Sequence, residues 1–173
     1  GAAAHFSVGY APRGWEALAQ ALTKQGFSSE ELLAAGLVSQ GQRGVYDRFR
    51  GRLIWPIRDV TGQTVGFGAR KLFDDDKGPK YLNTPETPIY KKTQVLYGLD
   101  LAKRDISRGD PKRVVVVEGY TDVMACHLAG VTTAVATCGT AFGTEHITML
   151  RRVMGDESAS GEVVFTFDGD EAG

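Results

Sequence analysis

Cysteine, histidine and long apolar runs are all scarce in this chain. Its 173 residues include 2 cysteines and 3 histidines, and Cys126 and Cys138 join no Cys/His cluster. Neither a disulfide framework nor a zinc site is therefore expected, and reduced thiols are typical of cytoplasmic proteins. No apolar stretch approaches the roughly 20 residues of a membrane span, and residues 1–5 lack a signal-peptide pattern. We expect a soluble cytoplasmic protein with no membrane partner.

Net charge is also low, at −1, but it is unevenly distributed along the chain. Residues 43–92 hold 11 basic and 6 acidic side chains, whereas residues 93–173 hold 7 basic and 12 acidic ones. A basic middle beside an acidic end fits a protein that grips a polyanion next to a metal centre. Ordinary surface charge distributed by chance would give similar counts, so the counts alone leave both interpretations open.

The first part of the chain has the patterns of a mixed α+β subdomain. One helix is predicted over 15–24. A second is predicted after Ser28, where Glu31 three residues later gives a capping-box pattern. Residues 39–44 and 73–88 are polar or rich in Gly and Pro, which predicts loops.

A hairpin and a further helix complete this N-terminal part. Apolar residues alternate with their neighbours from Leu53 to Ile57, and Gly62 marks a turn. With a return strand over 64–67, this predicts a β-hairpin. The spacing of apolar residues over 97–108 predicts a helix.

From residue 112 the pattern changes to alternating strands and helices, which predicts βαβ units with a parallel sheet. The predicted strands are 114–117, 133–137 and 163–167, and the predicted helices are 122–129 and 144–154. Continuous apolar strands of this kind are typical of a sheet covered on both faces. We therefore expect an N-terminal domain over 1–100 and an α/β domain over 101–173.

Four carboxylates follow two of these strands directly. They are Glu118 and Asp122 after the first strand, and Asp168 and Asp170 after the third. Ligands of open α/β sheets bind outside the carboxyl ends of the strands. Crowded carboxylates repel one another unless a cation neutralises them, and Mg²⁺ prefers oxygen ligands. The pattern therefore predicts a Mg²⁺ site and phosphoryl-transfer chemistry.

Each motif alone has a second interpretation. Asp122 could cap the following helix, and Asp168-Gly169-Asp170 could be an ordinary turn.

The loop 139–144 lies between a strand and a helix. It could bind a phosphate through its backbone amides, or it could be a permissive loop capped by Thr144.

The paired acidic motifs resemble the Toprim domain of primases, topoisomerases and some nucleases. Other segments narrow the resemblance to the RNA-polymerase core of bacterial DnaG-type primases, and it covers nearly the whole chain. These segments are Tyr46–Arg50, Pro56–Asp59, Gly66–Arg70, Pro79–Thr87 and Leu96–Leu99. The resemblance implies a Toprim-like parallel sheet with flanking helices, preceded by the α+β subdomain.

The family implies template-directed synthesis of short RNA primers from NTPs on single-stranded DNA during replication. Glu118, Asp168 and Asp170 would be catalytic and, with Asp122, would bind Mg²⁺ or Mn²⁺. The residues expected to contact nucleic acid or nucleotide are Arg70, Lys80, Tyr81 and Asn83, with Arg48 and Arg58 as weaker candidates. A Toprim nuclease or topoisomerase-like enzyme, or a noncatalytic nucleic-acid-binding module, is the alternative.

The resemblance also implies what this chain does not contain. No zinc is expected within it, and replicative helicase and single-strand-binding protein would be contacted through regions absent here. The family core continues past Gly173, so we expect the fragment to have little or no activity alone. The expected location is the bacterial cytoplasm, in association with the nucleoid.

Overall fold

The structure is a computed structural model, and it describes residues 1–155, 161–167 and 169. The chain forms two compact units. Residues 3–56 and 65–91 belong to the first, and residues 57–64 belong to the second together with the chain from residue 92 onward. Within the part that the structure describes, no helix is both long and apolar enough to cross a membrane.

Three short helices and six strands lie before residue 84. They are α1 (Ala2–His5), β1 (Gly9–Ala11), α2 (Ala17–Lys24), α3 (Ser29–Ala34), β2 (Val38–Gly41), β3 (Gly44–Asp47), β4 (Arg52–Arg58), β5 (Thr64–Lys71) and β6 (Tyr81–Asn83). One sheet has the strand order β1-β4-β5-β6, and β2 and β3 form a separate antiparallel pair. The expected α+β character of this part is confirmed.

Local sequence signals explain two of these elements. The hydroxyl of Ser28 accepts a hydrogen bond from the backbone N–H of Glu31 at 3.2 Å, and the Glu31 carboxylate accepts one from the Ser28 N–H at 2.7 Å. This reciprocal pair satisfies two donors at the start of α3, as the capping box predicts. The β4–β5 hairpin turns at Gly62, whose φ of +93° suits glycine.

The two predicted loops were partly wrong. Residues 39–44 lie largely in β2 and β3, which pair in the register Val38↔Asp47. The segment 73–88 contains β6, which pairs with β5 in the register Ala69↔Leu82. Strands this short carry little apolar pattern of their own, and their pairing partners and packing decide whether they form.

The second unit contains the remaining helices and strands. After a short 3₁₀ turn (Lys92–Gln94), they are α4 (Leu99–Arg108), β7 (Arg113–Val117), α5 (Tyr120–Leu128), β8 (Ala134–Ala136), α6 (Thr144–Met154) and β9 (Glu162–Phe165). The sheet has the order β8-β7-β9, with both pairs parallel. The prediction of a parallel α/β sheet is confirmed.

The central strand β7 supplies the core of this unit. Val114 and Val116 are fully buried in one apolar cluster with residues of α4 and α6, including Ile106 and Leu150. Side chains alternate between the two faces of a strand, so Val117 lies on the opposite face, where it is also buried. Burial of both faces confirms the interpretation of this valine run as an interior strand.

Strand β9 differs from that expectation. It is an edge strand of the three described ones, and Val163 and Phe165 are 38% and 48% exposed. The prediction of a fully buried strand over 163–167 was therefore wrong for the described residues. A continuous apolar run indicates that a strand forms, but it does not show what covers the strand.

A glycine fixes the start of α4. Gly98 has a φ of +85°, and a β-carbon there would lie 2.9 Å from Val123 Cγ1 and 3.3 Å from the Ala134 carbonyl oxygen. Both the left-handed backbone and the close neighbours exclude a side chain. This explains why the helix begins at Leu99 instead of at Tyr97 as predicted.

Replacing Gly98 with alanine should lower the free energy of unfolding by about 2–4 kcal/mol, because the backbone strain adds to a steric clash. Gly130 is a matched control. Its φ is +90°, but a β-carbon there meets nothing within 4 Å. Gly130→Ala should therefore lose only about 1–2 kcal/mol. Urea unfolding followed by far-UV circular dichroism measures both, and equal losses would contradict the clash.

Candidate catalytic motifs and nucleic-acid-binding residues

The first acidic motif lies at the carboxyl end of the central strand. Glu118 follows Val117, the last residue of β7, and its side chain is exposed. Parallel pairing places β8 and β9 on either side of β7 with the same direction. Glu118 is therefore at the edge of the sheet where ligands of α/β folds bind.

Asp122 occupies the third position of α5 and is also exposed. Its Oδ2 accepts a hydrogen bond from the backbone N–H of Gly119 at 3.1 Å. This is the capping role that the sequence left open, and a carboxylate near a helix N-terminus is electrostatically favourable. A carboxylate has about four lone-pair sites, so this single bond leaves capacity for another ligand.

Asp168 and Asp170 lie outside the described residues, so the structure gives no position for their side chains. The described chain leads directly to them. Beyond β9, the backbone N–H of Thr166 donates to the carbonyl oxygen of Val116 at 3.0 Å. Because the pairing with β7 continues to this point, the chain leaves β9 at the same edge of the sheet as Glu118.

Within residues 1–155, 161–167 and 169, no three His, Cys, Asp or Glu side chains are arranged to hold a metal ion. Two of the four predicted ligands are outside those ranges. Glu118 and Asp122 follow one strand and sit in the loop and first turn after it. The chemistry of this donor pair, exposed carboxylate oxygens only, fits a hard divalent cation.

The loop 139–144 before α6, which could bind a phosphate through its backbone amides, uses one of these amides within the protein. The N–H of Gly143 donates to His146 Nδ1 at 3.0 Å, and Nε2 of the same ring lies 3.0 Å from the Lys92 carbonyl oxygen. Since Nδ1 accepts, this network assigns the proton to Nε2. His146 is buried, and the helix cap is Gly143 instead of the predicted Thr144. The Gly143 amide is therefore already paired.

Three of the predicted nucleic-acid residues lie close together in the first unit. Arg70 on β5 is opposite Tyr81 on β6. Arg70 and Lys80 both line a cavity of about 210 Å³. The Lys80 ammonium is 5.9 Å from the centre of the Tyr81 ring, which is 43% exposed. Two cations beside an exposed aromatic ring can bind a phosphate and a stacked base.

Arg48 and Asn83 are connected to each other. The Arg48 guanidinium donates from Nε at 3.1 Å and from Nη2 at 2.8 Å to the backbone carbonyl oxygen of Asn83. Burial lowers the pKa of Arg48, and Tyr46 acts in the opposite direction. Two of the donors of Arg48 thus fix the end of β6, which makes it a positioning group for Asn83.

Arg58 belongs to the second unit. Its Nη1 lies 3.7 Å from the Asp100 carboxylate, so part of its charge is balanced within the protein. Within the first unit, the structure therefore brings Arg70, Lys80 and Tyr81 together and links Arg48 to Asn83, whereas Arg58 belongs to the second unit.

Sequence reasoning missed the role of Asp47. Its carboxylate is 2% exposed and accepts hydrogen bonds from the backbone N–H groups of Leu18 at 2.7 Å and Ala19 at 2.9 Å. The residue at the N-cap of α2, Glu16, makes no side-chain cap bond. Asp47 thus caps α2 from a distant strand. The available signal in the sequence was the lack of a capping side chain at the start of this helix. That signal could not identify Asp47 as the residue that caps it.

Comparison with known proteins decides the family. The sequence model of the family "DNA primase catalytic core, N-terminal domain" matches residues 1–103, and the sequence model of the Toprim domain family matches residues 112–173. The chain belongs to the DNA primase catalytic-core family. The resemblance seen in the sequence is thereby confirmed.

Relatives and solved structures agree with this family. The chain is 66% identical over 172 residues to the DNA primase of Streptomyces coelicolor, covering 99% of this chain and 26% of that protein. It matches the RNA polymerase domain of Mycobacterium tuberculosis primase DnaG with a TM-score of 0.93 and 62% identity, covering 99% of this chain and 55% of that one. The chain thus spans about a quarter of its curated primase relative.

A further match contains nucleic acid. It is the same M. tuberculosis domain in complex with a double-stranded DNA oligomer that has a 6-nucleotide overhang. The TM-score is 0.93 at 62% identity, with 99% of this chain and 53% of that chain covered. The expected α/β primase-core fold is confirmed by these comparisons.

Asp47→Ala should lower the free energy of unfolding by about 2–4 kcal/mol, because two donors at the start of α2 lose a charged acceptor. Asp47→Asn keeps one acceptor oxygen and should lose less. Both tryptophans, Trp15 and Trp55, lie in the first unit, so their fluorescence during urea unfolding reports this change.

Asp74→Ala is the control for the Asp47 variants, since Asp74 is exposed and belongs to no cap. It should change stability by no more than about 0.5 kcal/mol. A loss for Asp47→Ala that does not exceed this value would show that the cap contributes little.

Proposed function

We propose that this chain forms the larger part of the catalytic core of a bacterial primase, which synthesises RNA primers from NTPs on single-stranded DNA. The observation that carries the proposal is Glu118 at the carboxyl end of the central parallel strand of a Toprim-family domain. The DNA in a structural neighbour at 62% identity supports the template as a ligand. A primase of this kind works in the bacterial cytoplasm, where its template is.

The two parts of the sequence have different roles in this proposal. Residues 1–100 bind template and nucleotide, and residues 101–173 supply the acidic motifs. The two family matches, over 1–103 and 112–173, support a boundary in this region. This assigns the basic middle of the chain and its acidic end to different steps of one reaction.

Glu118, Asp122, Asp168 and Asp170 would hold Mg²⁺ or Mn²⁺, and membership of the Toprim family supports the use of a divalent metal. When bound, the ion would neutralise charge on the triphosphate and lower the pKa of an attacking hydroxyl. Glu118 is the exposed acid at the strand end, so it serves as a metal ligand or as a base near the 3′-hydroxyl. Asp122 supports the site while its other oxygen caps α5.

Arg70, Lys80 and Tyr81 would contact the phosphates and bases of template or nucleotide. Arginine binds phosphate through paired N–H groups, lysine adds a point charge, and tyrosine offers a stacking face. Asn83 presents its side chain from the end of β6, where Arg48 fixes the backbone. Arg58 would add long-range positive charge.

The double variant Asp168→Asn/Asp170→Asn should weaken Mn²⁺ binding by about tenfold or more, because it removes two anionic ligands. Calorimetric titration of Mn²⁺ into the chain measures this. Glu30→Gln/Asp105→Asn is the control, since it removes the same charge from two exposed helical positions. Equal affinity in the two double variants would rule out a metal site at these aspartates.

Arg70→Ala/Lys80→Ala should weaken binding of a single-stranded oligonucleotide and flatten its salt dependence. Each lost phosphate contact reduces the slope of log K against log salt by about 0.7. Fluorescence anisotropy of a labelled oligonucleotide at several salt concentrations gives both quantities.

The matched control for this pair is Arg104→Ala/Arg151→Ala, which removes the same charge from exposed helix positions of the second unit. It should lower affinity less and leave the slope nearer its original value. If the two double variants behave alike, net charge explains the binding and the cluster around Arg70 does not. Template-directed NTP incorporation by the protein that carries this sequence tests the reaction itself.

A further inference from the structure

Tyr120 is the inward-facing residue of the first acidic motif. It is the first residue of α5 and lies between Glu118 and Asp122 in the sequence. It is only 5% exposed, whereas both acids are exposed. The motif therefore presents its carboxylates to solvent and is attached to the core through one buried aromatic ring. The residue that this ring packs against helps to decide where the carboxylates lie.

The ring of Tyr120 packs against the ring of Tyr97. The two ring centres are 4.7 Å apart, and the angle of 80° between the ring planes makes this an edge-to-face pair. Tyr97 is itself buried, at 4% exposure. Aromatic pairs of this kind prefer a defined orientation, because the positive edge of one ring meets the negative face of the other. The position of Tyr97 therefore restricts the position of Tyr120.

Tyr97 is fixed to the sheet of the second unit by its backbone. Its N–H donates to the carbonyl oxygen of Ala136 at 2.7 Å, and its own carbonyl oxygen accepts the Ala136 N–H at 3.1 Å. Ala136 is the β8 partner of Val117, the last residue of β7. Tyr97, Ala136 and Val117 thus lie side by side, and Glu118 follows directly. The backbone bridge holds Tyr97 level with the strand end that carries the motif.

The next residue, Gly98, brings the same segment against α5. A β-carbon at Gly98 would lie 2.9 Å from Val123 Cγ1, and Val123 is fully buried. Residues three apart lie on the same face of a helix, so Tyr120 and Val123 belong to the face of α5 that packs on this segment. Two contacts on one face fix the direction of the helix start as well as its position.

Both acids are connected to this helix start by hydrogen bonds. The Asp122 carboxylate accepts the Gly119 N–H at 3.1 Å, and the Val123 N–H donates to the Gly119 carbonyl oxygen at 3.1 Å. These bonds join the residue after Glu118 to the first turn of α5. A shift of the Tyr120 ring would therefore displace the two carboxylates together.

Tyr97 remains uncharged in this position. Burial raises the pKa of its hydroxyl, the charges of Asp100 and Cys138 act in the same direction, and Arg58 opposes them. A neutral phenol is compatible with a buried site at neutral pH, whereas a phenolate would be strongly disfavoured there. The aromatic ring, and not a charge, therefore carries the interaction with Tyr120.

We infer that Tyr97 is a positioning residue for the first acidic motif and acts through the ring of Tyr120. It holds Glu118 and Asp122 at the edge of the sheet in the orientation that a divalent cation requires. The inference rests on the proposed metal site, and it gives Tyr97 no contact with the ion. Residues that orient metal ligands change metal affinity even though they do not bind the metal themselves.

The test compares Tyr97→Leu with Tyr97→Phe in this chain. Leucine removes the ring but keeps much of the apolar volume, so Mn²⁺ binding should weaken about threefold to tenfold. Phenylalanine keeps the ring and should restore binding to near the original affinity. Calorimetric titration measures the affinity, at a temperature where circular dichroism shows that each variant is folded.

Ile106→Val is the matched control. Ile106 is buried in the apolar core of the same unit with Val114 and Val116, and it belongs to neither ring of the pair. Its shortening removes core packing and should leave Mn²⁺ affinity unchanged. If Tyr97→Leu and Ile106→Val change the affinity equally, Tyr97 has only a structural role and the inference is wrong. A loss in Tyr97→Phe as large as in Tyr97→Leu would assign the effect to the hydroxyl and would also contradict it.

Amide hydrogen exchange tests the same inference without metal. The Val123 N–H belongs to the first turn of α5. The Ile147 N–H, which donates to the Gly143 carbonyl oxygen at 3.2 Å, is its equivalent in α6. Tyr97→Leu should speed exchange at Val123 about fivefold or more relative to Ile147, because the start of α5 opens more often. In Ile106→Val the ratio of the two rates should stay the same.

Tyr120→Leu tests the pair from its other member, in case Tyr97→Leu does not fold. It should weaken Mn²⁺ binding in the same way, and Tyr120→Phe should restore it. The double variant Tyr97→Leu/Tyr120→Leu should bind no more weakly than either single variant, because all three remove the same contact. Losses that add in the double variant would show two independent effects and would overturn the inference.

The two measurements separate this inference from the proposed function. If Glu118→Gln leaves Mn²⁺ affinity unchanged but the Val123 exchange ratio responds to Tyr97→Leu, the proposed metal site is wrong and Tyr97 still positions the motif. If Glu118→Gln weakens Mn²⁺ binding but neither measurement responds to Tyr97→Leu, the metal site stands and the positioning role of Tyr97 is overturned.

Discussion

Parallel pairing of β7 with both of its neighbours is the constraint on which the candidate metal site depends. Strands that run in the same direction end at the same edge, so Glu118 and the chain after Thr166 leave the sheet together. Burial of Val114 and Val116 against α4 and α6 fixes this strand in the interior. The polar ends of the strands are consequently held by an apolar core that takes no part in the chemistry.

In the first unit, neighbouring residues of one motif have different tasks. Asp47 caps α2, Arg48 holds the carbonyl of Asn83, and Arg50 stacks on Trp15. Asp47 and Arg48 thus complete backbone hydrogen bonds of distant elements, whereas Arg50 bonds the nearby Asp47 carbonyl oxygen and contacts an aromatic ring. A family motif can therefore be characteristic of a fold because it assembles a surface, as well as because it contacts a ligand.

Sequence reasoning succeeded where the signal was local. The capping box of α3 and the alternating pattern of β4 with its turn at Gly62 needed only neighbouring residues, and both elements formed as predicted. It failed where a distant partner decided the outcome, as for β6 and for the Asp47 cap. The exposure of Phe165 had the same origin, because a run of apolar residues carries no information about what packs against it.

The number of basic residues in the middle of the chain overestimates how many of them are available to bind a polyanion. Residues 43–92 have five more basic than acidic side chains, yet Arg48, Arg52 and Arg58 already face a carbonyl or carboxylate of the protein. Their charges still add to the long-range potential, but each side chain already has a partner within the protein. We therefore expect specific contacts from Arg70 and Lys80, which line a cavity together. Long-range attraction therefore depends on all the basic side chains of residues 43–92, whereas local recognition depends on the few that contact the ligand.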